Sequence, residues 1–164
     1  MANAHLATYL NDHLSGAVAA LELLERLETE HAGSDLARTL GELRSEIQDE
    51  RQMLKELMEQ QQIDHSRPRQ AAAWLAEKAS QIKLRFDDPA DGALRLFESL
   101  EAIGLGVEGK RSLWLALAAA EVSAPPGVEF KQLAQRSADQ RARIEELRQA
   151  AARVALRDDD KATA

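Results

Sequence analysis

The chain has 164 residues, 45% of them apolar and 30% charged, a balance that fits one soluble globular domain with a substantial core and not a disordered chain. It has no cysteine, so it can hold no disulfide, thiolate metal site or cysteine nucleophile, and this suits a reducing cytoplasm, where we expect the protein to reside. The net charge of −7 argues against nucleic-acid binding, which runs on neutralisation of phosphates by Lys and Arg; no signal peptide and no transmembrane run is visible.

Four long segments carry the 3.6-residue periodicity of amphipathic helices, and none shows the alternation or β-branched runs of a strand. The first runs from about Ala4 to Glu30, with Leu6, Leu10, His13, Ala17, Leu21 and Leu24 on one stripe. "HAGSD" interrupts it, with Gly33 placed to end one helix and Ser34 or Asp35 to cap the next. The second, from about Asp35 to Gln61, puts Leu36, Leu40, Leu43, Ile47, Glu50, Leu54 and Leu57 on its stripe. The third opens at Pro89 or Gly92 and ends near Glu121, before "SAPPG". It is apolar on two sides: Leu96, Leu100, Ile103, Val107 and Trp114 form one stripe, Leu94, Phe97, Leu105 and Leu115 the other. The fourth, from about Val128 to Leu156, places Leu133, Ser137, Gln140, Ile144, Leu147, Ala151 and Val154 inward. Residues 1–157 therefore read as one all-α bundle domain and 158–164 as a polar tail.

About thirty residues separate the second and third helices, far more than a helix–helix turn requires. Within them "QAAAWLAEKASQIKLRF" is itself an amphipathic helix candidate, with Trp74, Leu75, Ala79, Ile82 and Phe86 on one side. At ~1.5 Å per residue it covers about 25 Å, enough to return the chain from one end of a bundle to the other. Two helical hairpins joined by one long crossover resemble the ferritin-like superfamily of four-helix bundles. That resemblance implies a metal site built at one level of the bundle from Glu on two helices and Glu-x-x-His on the other two. The pattern is degenerate here: Glu46 is followed three residues later by Asp49, and Ser137 by Gln140.

"GLGVEGKRS", residues 104–112, imitates a phosphate loop, since Gly104, Gly109 and Lys110 fit G-x-x-x-x-G-K. A working loop follows a strand and leaves its backbone N–H groups free, whereas this one lies within a continuous helical stripe. Arg111 also occupies the position of the Mg²⁺-binding hydroxyl. Each glycine inside a helix costs up to ~1 kcal/mol relative to alanine, so close approach of a neighbour is the expected compensation.

Polar residues on apolar stripes carry the candidate site. Counting outward from turns near residues 32 and 125 brings His13, Glu50, Glu108 and Gln140 to one level, with Glu46 and Glu101 nearby. Buried carboxylates need pairing, hydrogen bonds or a cation. In one account Glu50 or Glu108 pairs with Lys110, Arg111 or Tyr9, and the layer fixes helix register. In a second, His13, Glu50 and Glu108 hold a single Fe, Mn or Zn ion, as in a metal-dependent oxidase or peroxide-handling enzyme. In a third, the layer lines a small-ligand cavity. The leading expectation is a non-catalytic or degenerate ferritin-like bundle that acts as an interaction or ligand-binding module. It self-associates as a homodimer through the third helix and the crossover, with no resident cofactor. The basic stretch between Arg67 and Arg85 docks on the protein's own acidic faces in preference to a membrane surface.

Overall fold

A computed structural model describes residues 3–65 and 92–157 of the chain. Among the described residues there are four α-helices and no strand: α1 (Ala4–Glu30), α2 (Asp35–Gln60), α3 (Ala93–Ala119) and α4 (Phe130–Ala155). The proposed crossover helix, the basic stretch and the polar tail lie outside the described residues.

Local chemistry sets the helix ends. Asn3 caps α1, its side-chain oxygen accepting hydrogen bonds from the His5 and Leu6 N–H groups. Gly33 takes the left-handed φ of 84° that the α1–α2 turn demands. Of the two possible caps for α2, Ser34 performs the role: its Oγ accepts from the Ala37 N–H at 3.1 Å. Asp35 is already helical and pairs with Arg38. Gly92, at φ 85°, opens α3, so the helix starts at the later of the two positions read from sequence. After Pro125 and Pro126 the chain reaches helical geometry only at Phe130, two residues later than the stripe suggested.

The apolar residues separate into two clusters, and their membership fixes the direction of every helix. One cluster gathers Leu10 and Leu14 from α1, Leu54, Leu57 and Met58 from α2, Leu113, Trp114 and Leu117 from α3, and Phe130 and Leu133 from α4. The other gathers Leu24 and Leu27, Leu40, Leu43 and Ile47, Leu100, Ile103 and Val107, and Ile144 and Ala151. Helices α1 and α4 therefore run one way, and α2 and α3 the other. α2 leaves the bundle at the Trp114 end, whereas α3 enters at the opposite end.

Packing is most extensive between α3 and α4 and between α1 and α2, with α1 also against α3. The backbones of α2 and α4 approach only slightly, so long polar side chains span that seam. On α2 and α4 the buried sets follow the expected stripes, with Leu36 and Leu147 half-buried and Val154 exposed beyond the last core layer. On α1 the face is rotated: Asn11, Leu14, Ser15 and Leu27 are buried, while His13, Ala17 and Leu21 are half-buried. On α3 the first stripe is core. The second divides, with Leu94 and Phe97 half-buried and Leu105 and Leu115 exposed.

Candidate functional site

The gap between the two apolar clusters is filled by a charged and polar layer. Glu50 of α2, Lys110 of α3 and Ser137 and Gln140 of α4 meet there, all on helices whose apolar residues hold the flanking turns in the core. The Lys110 ammonium donates to Glu50 Oε2 and, at 2.5 Å, to Gln140 Oε1. The amide nitrogen of Gln140 donates to Glu50 Oε1 at 3.1 Å and to Glu46 Oε2 at 3.0 Å. Arg143 closes the chain with two bonds to Glu46, at 2.7 and 2.6 Å. Ser137 donates back to the Leu133 carbonyl at 3.0 Å, so its hydroxyl is satisfied within its own helix.

Glu50 is only 2% exposed and Gln140 1%, so the layer is shielded from water at its centre and opens toward Glu46 and Arg143 at the surface. Burial pulls the Lys110 ammonium below its ordinary pKa, and the charge and hydrogen bond of Glu50 oppose that shift. A carboxylate, an ammonium and an amide thus satisfy one another in a low-dielectric setting, where losing one partner strands the rest.

The remaining sequence candidates lie elsewhere. Glu108 is exposed and pairs with Arg111, one turn on, at 2.9 Å. Glu101 is exposed and pairs with Arg148 of α4. Arg148 also stands 5.5 Å from the centre of the Phe97 ring and bonds Glu145, whose carboxyl is held well below its usual range by Arg148, Gln149 and Arg141. His13 packs edge-on against Tyr9, with ring centres 4.7 Å apart, at the Trp114 end of the bundle. The level assigned to it from sequence fails for a physical reason. Glu28 bonds Arg44 and adjoins the Gly41 position, so although the turn itself occupies residues 31–34, as expected, contacts across the hairpin are offset from it and a count outward from the turn misplaces His13. Glu108 faces outward, and Lys110, two residues on, faces Gln140.

His13, Glu50 and Glu108 are therefore not brought to one point. Among the described residues no three of the His, Asp and Glu side chains stand grouped as a metal ion would need. The donor set does not fit the ferritin-like metal pattern either. Both Glu50 oxygens are engaged by Lys110 and Gln140, and both Glu46 oxygens by Arg143. A cavity of about 210 Å³ opens between α1 and α2, lined by Val18, Leu21, Arg44 and Arg51 among others, and none of the layer's residues borders it.

The glycine stretch is helical throughout, so its N–H groups are spent on the helix. Gly104 receives the Arg141 guanidinium, which lies 3.3 Å from where a Cβ would sit; among the described residues a Cβ at Gly106 or Gly109 would meet nothing within 4 Å.

Half-burial holds the His13 pKa below its ordinary value, despite the opposing charge of Asp12. Above about pH 6.5 the imidazole is neutral in the folded and unfolded chains alike. As pH falls from there toward the lowered folded value, the unfolded chain binds a proton that the folded chain refuses, and stability is lost. A His13→Phe variant should show a flatter decline in denaturant midpoint across that window; an unchanged slope would contradict this assignment.

No protein-family model matches the chain, and no curated protein or solved structure matches it either, so its functional reading rests on the chemistry and geometry above.

Proposed function

We propose that this chain is a non-catalytic helical-bundle module with ferritin-like connectivity, that its charged layer serves architecture, and that it works by self-association through α3. The connectivity is supported by the opposite ends at which α2 leaves and α3 enters, together with the amphipathic sequence between them. The architectural role of the layer is supported by its closed set of hydrogen bonds. Each acidic group already has a partner from its own chain, and the bridge crosses the α2–α4 seam, where backbone packing is thinnest.

The observation that carries the interaction role is the outward row of α3. Leu105 is 67% exposed and Leu115 41%, on the most apolar helix of the four, beside Gly106 and Gly109 with open space at their Cβ positions. Glycines with no close neighbour in the described bundle still carry their helix penalty, and a flat surface for another helix is the compensation this reading supplies. Light scattering of the full chain over a concentration series tests it. The wild type should approach twice the chain mass, and a Leu105→Glu/Leu115→Glu variant should remain monomeric. A wild type that is monomeric at every concentration removes the self-association.

A further inference from the structure

The row on α3 has an order that specifies how two copies would meet. Glu101, Leu105, Glu108, Ser112, Leu115 and Ala119 follow one another at intervals of four, three, four, three and four residues, and all six are exposed. This is the 3-4 spacing of a helix–helix seam, lying on the face opposite the core stripe. It is also a palindrome about residue 110. Turned end for end about that point, Leu105 falls on Leu115, Glu108 on Ser112 and Glu101 on Ala119.

Resting on the self-association reading above, we infer that two copies pair through α3 in an antiparallel, two-fold symmetric seam whose axis passes between Glu108 and Ser112. Charge selects this arrangement over the parallel one. A parallel, in-register pair sets Glu101 against Glu101 and Glu108 against Glu108, two like-charge contacts within a short seam. The antiparallel pair sets each Glu108 carboxylate against the hydroxyl of Ser112 in the second copy and beside its Arg111 guanidinium, whose side chain is 39% exposed. Glu101, already bonded to Arg148, meets only a methyl group. The leucines meet in two equivalent Leu105–Leu115 contacts, and the helix dipoles oppose each other. The patch is self-complementary, as an isologous interface must be. A second copy therefore fits it better than an unrelated helix does.

The absence of cysteine makes the geometry directly readable. Full-length Leu105→Cys and Leu115→Cys variants, each checked for wild-type helicity by circular dichroism, are oxidised mildly alone and as an equimolar mixture. The antiparallel seam predicts that the mixed Leu105→Cys–Leu115→Cys dimer forms at least roughly tenfold faster than either self-linked dimer, since only that pair falls within disulfide reach. Self-linked dimers forming as fast as the mixed one overturn the antiparallel seam while leaving self-association intact. A dimer by light scattering that cross-links in no combination overturns the use of this face. A chain that is monomeric throughout removes both the seam and the reading beneath it.

Discussion

Replacing Lys110 with methionine is expected to reduce the unfolding free energy by about 3–5 kcal/mol, the range for breaking a buried ion pair by removing one partner. The change leaves the Glu50 carboxylate, 2% exposed, with only the Gln140 amide to accept from. For a domain of this size the melting temperature should fall by roughly 10 °C. A Lys110→Met/Glu50→Leu double variant should recover most of the loss, because removing both charges replaces a costly desolvated pair with apolar contacts. Chemical denaturation of the three proteins measures both effects. If the single variant loses less than about 1 kcal/mol, Glu50 is hydrated or neutral in the folded protein and the layer is not the closed network described.

The second large effect is expected at Trp114. This side chain is 1% exposed and stacks on Phe130, with ring centres 6.0 Å apart and planes at 12°. Truncation to alanine should cost about 3–5 kcal/mol, the sum of lost burial and the cavity left behind. Among the described residues its buried indole nitrogen has no hydrogen-bond partner, so part of the tryptophan's contribution is already offset by an unmade bond. Trp114→Phe deletes that donor together with part of the ring and should lose less than half as much as Trp114→Ala. Equal losses in the two variants would show that the nitrogen is satisfied and that its hydrogen bond, and not ring burial, carries the cost.

The two predictions separate what the sequence discloses from what it hides. Helix boundaries were legible to within two or three residues, because Asn3, Ser34, Gly92 and the "SAPPG" turn act locally and depend on no partner helix. Glu50 and Gln140 were legible as buried polar groups because α2 and α4 each have one narrow apolar stripe. On α3 the periodic signal is weak: leucine and alanine occur all round the helix, so the phase that turns Lys110 inward and Glu108 outward is not written in apolar spacing. A lysine at an inward position also reads as surface by composition, and only the acid waiting across the bundle identifies it. His13 was misplaced for a different reason. The turn falls at residues 31–34 as expected, but contacts across the hairpin, such as Glu28 with Arg44, are offset from it, and a count outward from the turn does not carry that offset.

The charged layer also bears on how the two hairpins dock. The α1–α2 and α3–α4 hairpins share an apolar interface mainly through α1 and α3, while α2 and α4 are joined by Gln140 and Arg143 reaching Glu46 and Glu50. Apolar packing tolerates small slides, but a lysine held between a carboxylate and an amide does not, so the layer sets the register of one hairpin on the other. Exposed pairs such as Arg38–Asp35 contribute little by comparison, since water and salt screen them.

The claim on which this account turns is that the buried carboxylates are satisfied by the chain itself. Elemental analysis of tag-free full-length protein, after growth with iron, manganese and zinc and beside a Glu50→Gln variant, tests it most directly. Wild-type protein is expected to be folded and stable and to carry no stoichiometric metal, with the variant unchanged in metal content. Near-stoichiometric metal in the wild type that disappears in Glu50→Gln would contradict it, and would make the layer a metal site.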